Sequence, residues 1–239
     1  MNWKLVWEDQ FKEDGKPNPK HWHHETGGHG FGNGEAQYYT RRLKNAYVKD
    51  GMLHIVGLKE DYKDNHYTSA KLTTFDKHFI KYGRVEVMAE LPKGHGTWPA
   101  IWFLGKNLKK VGWPMCGEID LMEHVGHNPK HIHFSLHAKD NHHWIGNQPT
   151  YAETIPGILD GFHEYALEWD EEGVAFFLDK TLKAHFKKKD FPHIKEWPFD
   201  QEFYLILNIA LGGSWGGKID DSIFPTVFRF KYVKVYERS

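Results

Sequence analysis

The chain has 239 residues, and its 31 Lys and Arg against 32 Asp and Glu leave a formal net charge of −1. That balance excludes bulk electrostatic binding to nucleic-acid phosphates or to an anionic membrane surface, since both need a basic excess. A hydrophobic content of 40% with 15% aromatic residues excludes a disordered chain, and no apolar run approaches the ~18 residues of a membrane span.

Residues 1–11, MNWKLVWEDQF, show no charged head followed by an apolar stretch, so no signal peptide is read there. The compartment stays open between the cytoplasm and secretion with a leader removed. After the turn pair Asp50-Gly51, residues 52–58 alternate as a strand. Residues 84–91 alternate Val85, Val87, Ala89 and Leu91 against Arg84, Glu86, Met88 and Glu90. Residues 166–169 and 174–178 flank Asp170-Glu171-Glu172-Gly173, a hairpin connection. Residues 203–211 and 227–237 are rich in β-branched and aromatic side chains, and Asn208 interrupts the first of these runs. Helical periodicity is missing. Only residues 154–160 and 190–196 could hold a helical turn, and Pro156 and Pro192 cut both short. The length fits one large all-β domain or two small ones. With no linker or repeat visible, residues 1–239 are read as a single domain, a β-sandwich or jelly roll. The lone cysteine, Cys116, allows neither an internal disulfide nor a Cys-based zinc site and is read as a small packing residue.

The segment Gly117-Glu118-Ile119-Asp120-Leu121-Met122-Glu123 carries the chemistry. Strand side chains alternate faces, so Glu118 and Asp120 share one face and Ile119 and Leu121 the other. Glu123 has the wrong parity, and one extra residue around Leu121-Met122, a β-bulge, would return it to the side of Asp120. Glu118 and Glu123 then stand about four strand steps apart, roughly 13 Å at ~3.3 Å per step. Side chains leaning ~4 Å toward each other leave about 5 Å between carboxyls, the separation of a retaining glycosidase. Asp120 between them crowds the site with negative charge, which favours shared protons and a protonated acid near neutral pH. The bland alternative is the wet face of a solvent-exposed strand.

This segment resembles the signature of glycoside hydrolase family 16 in its bulged E-x-D-x-x-E form, typical of laminarinases. Five further segments resemble the family in order: Gly32-Asn-Gly-Glu-Ala-Gln-Tyr-Tyr-Thr40, Tyr82-Gly-Arg-Val-Glu86, Trp98-Pro-Ala-Ile-Trp-Phe-Leu104, Leu211-Gly-Gly-Ser-Trp-Gly-Gly217 and Tyr232-Val-Lys-Val-Tyr236. The similarity runs from about Leu5 to Tyr236. It implies a β-jelly-roll sandwich of two antiparallel sheets with a concave substrate cleft, and endo-hydrolysis of a β-glucan with retention. By position, Glu118 is the implied nucleophile, Asp120 its assistant and Glu123 the acid/base. Trp98 and Trp102, four apart on one strand face, are implied to line the subsite beside the scissile bond. Asn33 and Arg84 match positions that reach donor-side sugars, although Arg84 also suits a solvated strand or a partnership with Glu86 or Glu90. Glu35 is a donor-side ligand or a local structural residue. Trp113 is a candidate platform for a neighbouring sugar, and Trp215 is a rim platform or a packed loop anchor. His137, on the strand beside the catalytic one, is placed to bond substrate or a catalytic carboxylate.

The chain holds 18 histidines, and the remaining ones are expected at the surface. His131, His133 and His137 share strand parity, and His-x-His in a jelly roll also suggests a cupin-like metalloenzyme. The Glu that such a site expects soon after is absent until Glu153. Many members of family 16 hold a structural calcium through an Asp just before the Tyr-Val-x-Val-Tyr strand. Here that position is Lys231, which disfavours calcium. The expectation is a cofactor-independent, monomeric enzyme of β-1,3- or mixed-linkage β-1,3-1,4-glucan, with no nucleic-acid or membrane partner. Its rivals are a non-catalytic carbohydrate-binding jelly roll and a family member acting on another polysaccharide, such as a red-algal galactan.

Overall fold

Alternating apolar residues on many short strands can be buried only if two sheets face each other, and the chain does this. The structure, a computed structural model, describes residues 2–192 and 197–239. In chain order the strands are β1 (Trp3–Asp9), β2 (His23–Glu25), β3 (Gln37–Tyr39), β4 (Ala46–Lys49), β5 (Met52–Tyr62), β6 (Asn65–Ser69), β7 (Lys71–Thr73), β8 (Gly83–Glu90), β9 (Thr97–Gly105), β10 (Glu118–Glu123), β11 (His131–His137), β12 (Thr150–Thr154), β13 (His163–Asp170), β14 (Gly173–Leu178), β15 (Thr181–Lys187), β16 (Phe203–Leu211) and β17 (Thr226–Arg238). Among the described residues, single α-helical turns α1 (Leu108–Val111) and α2 (Gly213–Gly216) and several 3-10 turns lie between them.

One sheet runs β15-β14-β13-β8-β17-β5-β6-β3, with β1 paired to β17 and β4 to β5; the other runs β12-β11-β10-β9-β16-β7-β2. Pairings are antiparallel except the three-residue pair β3–β6, which is parallel and departs from the expected all-antiparallel pattern. The hairpin at Asp170 closes as read, with Asp170 opposite Gly173. The helical expectation for residues 154–160 does not hold. Residues 154–160 finish β12 and continue as a turn, and a 3-10 turn lies at Lys188–Asp190. Of the 190–196 expectation, residues 193–196 lie outside the described residues. Among the described residues no helix is long and apolar enough to cross a membrane.

The seven-strand sheet positions the site. Along β16, Phe203, Leu205, Leu207, Ile209 and Leu211 enter the core between the sheets, while Asn208 and Ala210 face a cleft on the sheet's outer side. Neighbouring strands repeat this. Ile101 and Phe103 of β9, Ile119 of β10, and Ile132, Phe134 and Leu136 of β11 are core; Trp98, Ala100, Trp102, Glu118, Asp120, His133, Ser135 and His137 face the cleft. Burying each such Ile, Leu or Phe stabilises by about 1.5–3 kcal/mol. A one-residue slip of β10 would exchange these side chains for carboxylates, so its register is fixed.

Candidate active site

In β10, Asp120 lies opposite Trp102 and Met122 opposite Ile101, so Leu121 is an extra residue. On the other edge, Asp120 faces Ser135 and Glu123 faces His133. Leu121 and Met122 are successive yet both fully buried in the core. This bulge resets the alternation, and Glu118, Asp120 and Glu123 all reach the floor of one cleft of about 550 Å³. Two apolar residues demanding the same side are what hold the third carboxylate on the other.

Indole N–H groups orient the outer carboxylates. Trp113 Nε1 donates to Glu118 Oε2 at 2.9 Å, and Trp98 Nε1 donates to Glu123 Oε1 at 3.1 Å. His137, opposite Glu118 across the β10–β11 ladder, brings Nε2 to 3.1 Å from Asp120 Oδ2 and 3.7 Å from Glu118 Oε1. Burial and then the Asp120 charge hold the Glu118 carboxyl well above the usual range, with the His137 ring and the Trp113 N–H opposing. Burial and the Glu123 charge raise Asp120 strongly. Burial raises Glu123 too, against the His137 ring and the Trp98 N–H. The cluster therefore keeps protons at a pH where free carboxyls have lost them.

This has a stability consequence with a definite sign. The favourable contribution is fully present below the ordinary Glu value of 4.5 and is lost as pH rises toward the raised folded-state values. Glu118→Gln removes one strained carboxylate. Its Tm should exceed that of the unsubstituted chain at pH 7, with the difference closing as pH falls below about 4.5. A lower Tm for the variant at pH 7 would contradict the buried like-charge picture.

The cleft has two arms on either side of β10. Toward β9, β16 and β7 lie Phe31, Asn33, Glu35, Lys71 and Asn208. Phe31 holds a left-handed φ of 47° inside the 3-10 turn Gly30–Gly32, an uncommon conformation outside glycine. Its ring meets the Lys71 ammonium at 5.0 Å, and the same ammonium stands 5.0 Å from the Trp102 ring. A hydrogen-bonded chain floors this arm: Trp102 Nε1 donates to Asn208 Oδ1 at 2.7 Å, Asn208 Nδ2 to Tyr39 OH at 3.0 Å, and Tyr39 OH to Glu35 Oε2 at 3.2 Å. Glu35 also accepts from Gln37 Nε2 at 2.7 Å and Asn33 Nδ2 at 3.4 Å. Glu35 therefore lines the cleft and, through these bonds, braces it. Asn208→Leu would strand the Trp102 and Tyr39 groups and should lower the unfolding free energy by about 1–3 kcal/mol, read by urea denaturation. No change would mean the chain is not structural.

Trp98, Trp102, Trp113, Asn33, Glu35, His137 and Trp215 all line the cleft. Trp215, half-buried, packs edge-on against Trp98 at 5.4 Å and His133 at 4.9 Å. Arg84 is the correction. It lies on β8 in the other sheet, where Val85, Val87 and Ala89 take the core face and Arg84 points outward. There it pairs with Glu86, the alternative read from the sequence, and with Glu168, each at 2.7 Å, and it does not line the cleft. The basic residue of the cleft is Lys71, 6% exposed and paired with Glu25 at 3.1 Å. Its single polar head on a buried strand was the available signal, as was Asn208 within the apolar β16.

The expectation of surface histidines also fails in part. His124 is fully buried and His142 nearly so, and burial pushes His124 down to about 4. The three histidines of the cupin reading do not converge. His131 bonds Thr154 at 3.0 Å and His133 packs on Trp215. Among the described residues, the group of three potential ligands within 4.8 Å is Glu118, Asp120 and His137. Lys231 occupies a bulge between Phe230 and Tyr232, its ammonium 4.2 Å over the Phe162 ring. An ammonium in place of a carboxylate does not suit a calcium ion.

A carboxylate cluster in the floor of a groove walled by indoles defines a glycoside hydrolase built on a β-sandwich. The family model for glycosyl hydrolases family 16 matches residues 33–223. A beta-glucanase of Rhodothermus marinus is 44% identical over 98% of this chain and 85% of its own length. The laminarinase structure from Rhodothermus marinus superposes with a TM-score of 0.95 at 44% identity, covering 99% of this chain and 98% of that one. A laminarinase catalytic domain from Thermotoga maritima gives 0.93 at 40% identity, over 100% of both chains. The chain belongs to glycosyl hydrolases family 16. It is a glycoside hydrolase with a polysaccharide substrate, and the jelly roll of two sheets is that of its relatives.

Proposed function

We propose that this chain is a retaining endo-β-glucanase that cleaves β-1,3-linked glucans, of the laminarin type or with mixed β-1,3-1,4 linkages. The observation that carries the reading is the bulge at Leu121, which brings Glu118, Asp120 and Glu123 to one face beneath Trp98, Trp102 and Trp113. Glu118 attacks the anomeric carbon while Glu123 gives its proton to the glycosidic oxygen, and the leaving sugar departs with that proton. Glu123 then takes a proton from water, the oxygen attacks the same carbon, and the Glu118 carboxylate is released. His137, 3.1 Å from Asp120 and 3.7 Å from Glu118, bridges the two carboxyl groups. Burial raises the Glu123 carboxyl, which favours its acid form.

The similar proteins are a beta-glucanase and two laminarinases, which supports the substrate choice. The cleft supports it as well. Lys71 is the one Lys or Arg among its described lining residues and is already paired with Glu25, which leaves no basic row for a sulfated galactan. Both glutamates in place speak against a binding module without chemistry. The reading takes the enzyme as a monomer that needs no metal. The test is a panel of laminarin, lichenan, barley glucan, agarose and carrageenan, with products resolved by linkage and a parallel series in chelator. Release of β-1,3-glucan oligosaccharides, unchanged by chelator, is expected. Cleavage of agarose or carrageenan alone would overturn the substrate, and oligosaccharide binding without turnover would overturn the chemistry. Loss of activity to chelator would overturn the metal-free reading.

A further inference from the structure

The second arm of the cleft, across β11 and β12, ends in a loop that carries two largely exposed apolar side chains. Residues 138–149 connect those strands. Within them Trp144 is 63% exposed and Ile145 57%, both in the 3-10 turn His143–Ile145. A single exposed apolar side chain needs no explanation, whereas a contiguous apolar patch beside a cleft suits a ligand. Trp144 is not a stray one. One edge of its indole meets Trp113 at 4.4 Å and 72°, and both rings line the same cleft as the carboxylates. His142 and His143 flank Trp113 at 5.3 and 5.0 Å, completing an aromatic wall.

The loop presents this wall in a fixed shape. Ala138 and Asn141 exchange backbone hydrogen bonds at 2.7 and 3.0 Å, and Leu136 N donates to Pro149 O at 3.0 Å. Asn141 Nδ2 donates to Asn147 O, and Asn147 Nδ2 to Asp140 O, both at 3.0 Å. Gly146, at φ 68°, takes the left-handed position that closes the turn. A rigid indole costs little entropy when a ligand settles on it, and the flat apolar face of a β-linked glucose suits an aromatic ring.

We propose that Trp144 is a sugar-stacking, specificity-determining residue on the acceptor arm of the cleft, where it binds the leaving-group side of the glucan chain. The inference rests on the glucanase reading above. Asn33 lines the opposite arm, which the resemblance implies is the donor side, and the arm assignment is part of the proposal. The reacting sugar lies over β10, so chain continuing past β11 belongs to the leaving group. Trp144 reaches Glu118 only through Trp113, whose N–H bonds that carboxylate. Its role is therefore to hold chain, not to touch the reacting atoms.

The test compares Trp144→Ala and Trp144→Phe in the full chain on two substrates. Laminarin fills both arms. A β-laminaritriosyl fluoride fills only the donor arm, because its leaving group is a single atom. For Trp144→Ala, KM on laminarin should rise about five- to tenfold, the scale of one lost aromatic contact, with kcat kept within about twofold. On the fluoride kcat/KM should stay unchanged, and Trp144→Phe should recover most of the laminarin KM. Cleavage of reducing-end-labelled laminarihexaose should move away from bonds that leave two or more sugars on the reducing side. An equal loss on both substrates would overturn the proposal in favour of positioning through Trp113. An unchanged KM and cleavage map, or a loss mapping to donor-side sugars, would also overturn it. If the unsubstituted protein turns over neither substrate, the glucanase reading itself fails and takes the inference with it; activity with an indifferent Trp144→Ala defeats the inference alone.

Discussion

Glu118→Ala is expected to lower kcat on β-glucan by about four orders of magnitude or more, since no other group can form the covalent intermediate. The fold should survive, because Glu118 sits on the cleft face while Ile119, Leu121 and Met122 anchor the strand in the core. Sodium azide should restore turnover of an activated β-glucosyl donor. The small anion fits the space vacated by the side chain and attacks from the face the carboxylate used. The product is then an α-glycosyl azide, inverted once. Full activity in the variant, or a β-azide, would remove Glu118 from the nucleophile role.

Glu123→Ala should behave differently. Loss of general acid and base help lowers the rate on polysaccharide by about 10²–10⁴. A donor whose leaving group needs no proton, such as a fluoride, should lose far less in forming the glycosyl-enzyme. Azide now captures that intermediate from the open face and yields the β-azide. Opposite azide anomers from the two variants fix both assignments at once. The same azide anomer from both would mean that Glu118 and Glu123 do not occupy opposite faces of the sugar. The pH dependence follows from the charges. Because burial raises the Glu123 carboxyl, the unsubstituted enzyme should hold its activity to a higher pH than a free glutamic acid would allow.

The central strands were legible because their physics is local. The parity of Glu118, Asp120 and Glu123 demands a bulge, and successive core residues Leu121 and Met122 supply it. The four-residue spacing of Trp98 and Trp102 puts both on one face, and both line the cleft. Sheet membership was harder to read. Arg84 and Lys71 are both basic residues on short strands, and alternation alone does not say which sheet each strand joins. That choice is made by distant partners: β8 pairs with β13 and β17, whereas β7 pairs with β16 and β2. So Arg84 went to the outer ion-pair cluster and Lys71 to the sugar face. Asn208 carried a readable signal, a polar side chain in a strand whose nine residues are all buried. Its partners, Trp102 and Tyr39, come from other strands, and only the fold joins them. The aromatic wall around Trp113 was hidden for a similar reason. A loop's shape depends on bonds such as that between Asn141 and Asn147, which follow no periodicity. The buried histidines show the same limit, since His124 has an ordinary strand-end sequence and becomes core only through what closes over it.

The most direct measurement is to trap the intermediate with a 2-deoxy-2-fluoro laminaribiosyl fluoride and map the labelled peptide by mass spectrometry. The fluorine slows release of the sugar more than its transfer, so the ester accumulates. The label should sit on Glu118, and the enzyme should lose activity in step with its incorporation. A label on Glu123, or inactivation-free turnover giving a sugar of inverted anomeric form, would contradict the account.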